Sequence, residues 1–357
     1  LASTWPAEIE LLRELVSIRS ISGGEDAIAR FIETRARELG VVATRDDASV
    51  TLEVTGAVPG PTLAFISHLD VVPPGEGWSR PAFSATIEGD KLYGRGSGDA
   101  KASVAAMIMA AADLEAAGGP TRGRLLVILG YCEETRDTTM GTAVSRAGPI
   151  DAAVVGEPTN LDIAIAQRGL MMVDLVSHGD QRHAAYAADE GGVNALVRLG
   201  RDLARLGGLF ADRGHPVLGA ATATPTMVEG GISRNVTPPV ARAVLDIRST
   251  PAWSHDELAD RLNEQMESEV IVTSDRLVPC ETPADSALVR AASAIRPGAR
   301  RFGSATCSDW VFVRHVDAIK CGPGTSRRSH TPDEHVDLPE VIAARAFYTR
   351  LAEAYLQ

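Results

Sequence analysis

Two spacings of apolar residues alternate along the chain. In the N-terminal third, residues 7–18 and 26–39 place apolar side chains at helical intervals, while 50–54 and 62–67 are short apolar runs of strand length. A helix over 102–117 separates these from a buried-strand pattern at 124–130, and another short apolar run follows at 152–156. Such alternation predicts an α/β fold with a central mixed sheet flanked by helices.

From residue 170 the rhythm changes. Strand 170–177, helix 193–206, strands 222–230 and 240–248, helix 254–267 and strand 270–274 spell β-α-β-β-α-β, the ferredoxin-like order of a small independent domain. The α/β pattern then resumes through helix 286–295, a helical stretch at 310–316, the apolar run 318–321 and a last helix over 339–355 with Pro339 in its first turn. The expected organisation is a discontinuous larger domain, 1–168 and 276–357, with a smaller domain, 169–275, inserted into it.

Composition narrows the field. A hydrophobic content of 45% over 357 residues is enough for a packed interior. The most apolar stretch, 103–114, is interrupted by Asp113 and falls short of the roughly 20 residues a membrane span needs. A net charge of −12 argues against a nucleic-acid partner, because phosphate binding relies on clustered Lys and Arg. Cys132, Cys280, Cys307 and Cys321 are widely spaced and form no CxxC, which fits buried, reduced thiols. With no basic-then-apolar leader at its start, the sequence points to a cytoplasmic protein.

Five short segments carry candidate chemistry. In Ser67-His68-Leu69-Asp70, a strand ends in a His with an Asp two residues on, a spacing that lets Asp70 hold the ring of His68 in one tautomer. Gly94-Arg95-Gly96-Ser97-Gly98-Asp99 is a glycine-rich turn presenting one carboxylate before a helix, which also describes a helix cap. Glu133 and Glu134 close an apolar strand, where adjacent residues face opposite ways and can take different roles; a solvated loop reads the same. Glu157 ends a short apolar run, and His330 sits in a loop far down the chain. Each alone is ordinary. Together they put His or acid residues at strand ends, where α/β folds gather their sites. His68, Asp99, Glu134, Glu157 and His330 suffice for two divalent ions if one carboxylate bridges, and a mixed N/O set suits zinc, with cobalt or manganese as alternatives.

The order and spacing of the segments SHLDVVPP, GRGSGDAK, EE, GEPT and GPG…SHTPDEH resemble the M20 metallopeptidases, particularly their acetylornithine deacetylase and succinyl-diaminopimelate desuccinylase branch. The resemblance covers nearly the whole chain. It implies that His68 and Glu157 bind one metal, Glu134 and His330 the other, and that Asp99 bridges them through a residue followed by a cis peptide. Glu133 is then the general base and Asp70 the partner of His68. In the inserted domain, which resembles the family's lid, His183 would polarise the scissile carbonyl, often across a dimer interface, and Asn235, Arg248 and Arg168 would contact substrate. Arg168 is equally suited to bracing the hinge.

The expected activity is removal of the acyl group from an N-acyl amino acid of acetylornithine, acetylcitrulline or acetyl-lysine type. A desuccinylase or a di- or tripeptidase is the alternative within the family. A non-catalytic binding protein on this fold is disfavoured because Glu133 and every ligand are retained. The expected partners are a small N-acyl amino acid or short peptide and a second copy of the chain. Arg300, Arg301, Arg327 and Arg328 read first as solvated loop charges, with attraction of an acidic acyl group or an acidic carrier protein as the alternative.

Overall fold

The computed structural model describes residues 5–135, 138–187 and 191–357. In chain order its elements are α1 (Ala7–Ser17), α2 (Asp26–Glu38), β1 (Val42–Arg45), β2 (Ser49–Thr55), β3 (Val58–His68), β4 (Thr86–Glu88), β5 (Lys91–Tyr93), α3 (Lys101–Ala116), β6 (Arg122–Gly130), α4 (Met140–Ala147), β7 (Ala152–Val155) and β8 (Ile163–Gln167). They continue with β9 (Gly169–His178), α5 (Ala195–Arg205), β10 (Gly214–His215), β11 (Gly219–Ala220), β12 (Thr222–Gly230), β13 (Val240–Ser249), α6 (His255–Gln265), β14 (Glu269–Leu277) and β15 (Cys280–Glu281). The chain ends with α7 (Ala287–Ile295), β16 (Arg301–Ser304), β17 (Asp317–Lys320), β18 (His335–Asp337) and α8 (Leu338–Tyr355).

Two compact units result. One comprises Leu1–Ile165, Thr282–Phe302 and Ser308–Gln357; the other Ala166–Glu281 and Gly303–Cys307. The second is therefore wider than the expected 169–275. Its ends are zipped together by the ladder of β8 with β15, where Gln167 pairs with Cys280, so the inserted unit begins before β9.

In the first unit the sheet runs β1-β2-β6-β3-β7-β17-β8. Neighbours among β6, β3, β7 and β17 are parallel, while β1, β2 and β8 pair antiparallel, giving a mixed sheet. The parallel strands are buried where they pair in the middle of the sheet, as the continuous apolar runs 63–66 and 125–129 require. Helix α3 is buried on nearly every side, consistent with its Ala- and Met-rich sequence, and packs against α1 and α8. Because His68 pairs with Gly130 and Ile66 with Val155, three neighbouring strands end at the same edge. The residues after them are thereby delivered to one place.

The second unit has a four-stranded antiparallel sheet in the order β12-β13-β9-β14, covered by α5 and α6. Its own core joins Val173, Leu175, Leu199, Leu245, Ile247, Trp253 and Leu258. Among the described residues no helix is long and apolar enough to cross a membrane. The stretch 310–316 forms a short 3-10 helix, Asp309–Val313, in place of the helix expected there.

The delivery of His68 depends on the packing of β3. Phe65, fully buried, lies three residues before it with its ring centroid 5.2 Å from that of Tyr348 on α8. Phe65→Ala is expected to lower the unfolding free energy by about 3–5 kcal/mol, as aromatic-to-alanine truncations in cores do. Urea unfolding of the metal-free protein measures this, and a loss below about 1 kcal/mol would show that β3 is anchored by other contacts.

Candidate metal centre and active site

His68, the last residue of β3, is 1% exposed. Its Nδ1 lies 3.0 Å from the Asp70 carbonyl oxygen and 3.4 Å from Asp70 Oδ1. Its Nε2 points the other way, 3.4 Å from Asp99 Oδ1 and 3.9 Å from Glu157 Oε1. His330, on the loop before β18, places Nε2 2.9 Å from Glu134 Oε1 and 3.7 Å from Asp99 Oδ2. Asp99 thus turns one oxygen toward each imidazole, the disposition of a bridging carboxylate. Donor atoms of His68, Asp99 and Glu157 lie within 4.8 Å of one another, as do those of Asp99, Glu134 and His330. Glu133 forms a third such group with His68 and Glu134.

The loops that present these groups obey local constraints. Asp99 closes a glycine-rich turn in which Gly96 has φ +83° and approaches Val71 so closely that a Cβ would lie 2.5 Å from Val71 Cγ1. Any side chain there would push the turn off β3's loop. The Asp99–Ala100 peptide is cis. Glu133 and Glu134 do not continue the strand, because β6 ends at Gly130 and Cys132 takes a positive φ of 56°. The alternation of a pleat therefore does not separate their roles; a turn does. Asp70 also lies beyond its strand, and does more than face His68. Its Oδ1 accepts from the Glu133 amide at 3.0 Å, and its Oδ2 from the Glu134 amide at 3.1 Å and Ser22 Oγ at 2.7 Å.

The electrostatics are those of crowded acids. Burial lifts the Glu133 carboxyl well above its ordinary value, and the charges of Glu157, Asp309 and Glu134 add to the lift while His68 opposes it. Burial, joined by the charge of Asp99, pushes Glu157 up to about 8. Burial works upward on Asp99 and Asp70 too, but His68 together with Ser329 and His330 for the one, and with Ser22 and the Glu134 amide for the other, holds both below the usual range. For His68, burial disfavours the charged ring, yet Asp70 and Asp99 carry it well above its usual value. Glu134 raises His330. Carboxylates this close need either protons or cations between them. Two imidazoles and three carboxylates, with one carboxylate shared, fit two divalent cations.

The remaining expected residues lie in the second unit. His183 is exposed and its Nδ1 accepts from the Ala185 amide at 3.2 Å, capping the 3-10 turn Ala184–Tyr186. Asn235 is exposed; its carbonyl accepts from the Ala184 amide and its Oδ1 from Ser233 Oγ. The fork of Arg248 is taken up by Asp246, at 2.7 and 3.0 Å. Arg168 spends its guanidinium on the carbonyls of Leu218, Ala220 and Arg248, at 2.6, 2.9 and 3.2 Å. It braces the backbone of its own unit. Sequence reading assigned no role to Glu334, Arg95 or Glu25. Glu334 is 1% exposed and accepts from two amides beside Asp99, and Glu25 accepts from the Cys132 amide. Such acids act on backbone N–H groups, which no spacing of side chains reveals.

Residues 64–354 match the peptidase family M20/M25/M40. The succinyl-diaminopimelate desuccinylase of Phenylobacterium zucineum is 30% identical, the match covering 97% of this chain and 98% of that protein. That of Wolinella succinogenes is 27% identical over 95% and 97%. Among solved structures, the aminopeptidase PepT of Bacillus cereus superposes with a TM-score of 0.81 at 19% identity, covering 98% of each chain. The M20 family metallo-carboxypeptidase Sso-CP2 of Sulfolobus solfataricus gives 0.78 at 20% identity, covering 98% of this chain and 99% of that one. The chain belongs to the M20/M25/M40 peptidase family, whose members are metal-dependent hydrolases of amide bonds.

Groups whose affinity for protons is raised must give them up when a cation takes their lone pairs. Without metal, Glu157, raised to about 8, is largely protonated at pH 7, and His68 and His330 are shifted in the same direction. Adding Zn2+ to the metal-free protein at pH 7 should release protons, and affinity should climb as pH rises through 8. Calorimetry in two buffers of different ionisation heat measures the release; uptake with no proton release would contradict the ligand set.

Proposed function

We propose that this enzyme removes the acyl group from an N-acyl amino acid, using two zinc ions held by His68, Asp99, Glu134, Glu157 and His330. The observation that carries the reading is Asp99, with one oxygen toward His68 and the other toward His330. Two divalent ions bound there supply Lewis acidity that polarises the amide carbonyl and acidifies the attacking water. Glu133 accepts the water proton on its carboxylate and delivers it to the leaving nitrogen. Its place beside His68 and Glu134 puts it next to the proposed ligands without making it one of them. Asp70 holds the ring of His68 from behind and the amides of Glu133 and Glu134 from the side, so one carboxylate orients the base and two of the proposed ligands.

Within the second unit, acceptance of the Ala185 amide by Nδ1 of His183 puts the ring proton on Nε2, which is then free to donate to an oxyanion. The reading includes a homodimer in the cytoplasm. Its support is the edge strand β12, whose Met227 and Val228 are exposed, with exposed Ile232 just beyond. The names of the curated relatives direct the first substrate test to N-succinyl amino acids, with N-acetyl compounds beside them. Solved neighbours named for peptidases share the fold at 19–20% identity, which carries no substrate. Recruitment of an acidic carrier draws no support from Arg300 and Arg328, which face Asp162 and Asp337.

Hydrolysis of N-succinyl, N-acetyl and N-formyl amino acids and of short peptides by the zinc-loaded enzyme tests the class; turnover of peptides alone would replace it with a peptidase. Glu133→Ala should cut kcat by at least about 10²–10⁴ while both metals stay bound, and retained turnover would remove Glu133 from the base role. His183→Ala should lower kcat by about 10²–10³ with metal content unchanged. A fully active monomer in light scattering would sink both the dimer and a role for His183 across its interface.

A further inference from the structure

The strongest unassigned feature of the first unit is a buried ion pair beside Asp99. Arg95 and Glu334 have side chains 2% and 1% exposed, with Arg95 Nη1 2.5 Å from Glu334 Oε2. The other carboxylate oxygen, Oε1, accepts from the amides of Gly98 and Asp99 at 3.0 and 3.1 Å. Arg95 also donates to the carbonyls of Pro74, in the loop after His68, at 3.2 Å, and of Thr331, next to His330, at 3.4 Å. The Trp78 ring lies under the guanidinium, 5.2 Å from centroid to Cζ. The backbone amide of Gly94 donates to the Glu334 carbonyl, so this residue holds the turn at both ends.

Burying two charges is a poor way to stabilise a fold, since apolar side chains of the same volume serve as well or better. The pair's partners indicate a different use: they lie in the loop after His68 and in the loops that carry Asp99 and His330. We infer that Glu334 is a positioning residue that fixes the backbone of Asp99, so that both its carboxylate oxygens stay aimed at the two metal positions, with Arg95 tying the neighbouring loops to the same point. The inference rests on the ligand role proposed for Asp99.

Capture of amides and simple negative charge make opposite demands on substitution. Two substitutions of Glu334 are made in an Arg95→Met background, because a Gln NH2 would otherwise face the buried guanidinium as donor against donor. There Glu334→Gln keeps an oxygen at the right reach for the two amides and loses the charge. Glu334→Asp keeps the charge and withdraws it by one methylene. Zn2+ affinity is read by competition with a chelator, and amide exchange at Gly98 and Asp99 is read in the metal-free protein. Positioning requires the Gln variant to bind Zn2+ within about threefold of Arg95→Met alone with slow exchange, and the Asp variant to lose about 10–100-fold against the same background with fast exchange at those two amides, the range typical of groups that orient metal ligands. Arg345→Met, which breaks the contacts of α8 with Glu8 and Asp113, is the control for general destabilisation and should leave Zn2+ affinity unchanged. Equal losses in the two Glu334 variants, or a larger loss in Gln than in Asp, would overturn the role. Wild-type chain that takes up no Zn2+ overturns the ligand reading and this inference together, whereas wild-type uptake with the reversed order overturns this inference alone.

Discussion

Mutual repulsion among buried acids at one edge of the larger sheet is the constraint that the site must satisfy. Asp70, Glu133, Glu134 and Glu157 converge there because β3, β6 and β7 are parallel neighbours in a register that ends them together, and the turn before α3 adds Asp99. An isolated buried carboxylate is expensive, and several side by side are more so. The upward shifts of Glu133 and Glu157 are the direct expression of that cost. Such an arrangement is tolerable only where positive charge completes it, and the imidazoles of His68 and His330 supply part of that charge while leaving room for cations. The fold provides rigidity and the acids provide the demand; metal binding relieves the second without disturbing the first.

The same constraint explains how the loops are tied. Asp70 and a further acid, Glu334, are buried beside the candidate ligands, and each neutralises part of its charge on a pair of successive amides: Glu133 and Glu134 for the one, Gly98 and Asp99 for the other. Backbone N–H groups in succession form an anion-binding concavity, so a carboxylate there satisfies otherwise orphaned donors while fixing the direction of the side chains that follow. Geometry at the ligands is therefore set from behind, through the main chain. That is why a turn with Cys132 in a left-handed conformation, rather than an extension of β6, presents the two glutamates.

Much of this was legible in the sequence where a side-chain pattern had a single physical reading. The continuous apolar runs before His68 and Glu133 identified buried parallel strands, and the β-α-β-β-α-β order identified the inserted sheet, because both follow from periodicity alone. What escaped depended on backbone groups and on partners distant in the chain. Glu334 reaches Gly98 across 236 residues, and the short ladders β4–β5 and β18 contain too few residues to show an alternation. Arg168 and Arg248 show a different gap. An exposed-looking arginine in a substrate-like segment reads as a ligand for carboxylate, but folding brings it carbonyls or an Asp from its own unit first. A guanidinium has five donors, and sequence does not say how many are already spent.

The two halves of the centre are built unequally. His68 is 1% exposed at the end of a central strand, whereas the side chain of His330 is 51% exposed on a loop where its own φ is +63°. The buried half is held by the sheet itself, so its geometry is as stable as the core around Phe65. The open half has no such support, since no strand carries His330. Its position rests on bonds to the segment around it, including the one from Arg95 to Thr331. The asymmetry follows from topology: parallel strands can bring only their own ends to the sheet edge, and the second imidazole has to come from a connection that arrives from elsewhere in the chain. A two-ion site on this fold therefore pairs one position inherited from the sheet with one that the loops must assemble, and the Arg95–Glu334 pair stands where that assembly takes place.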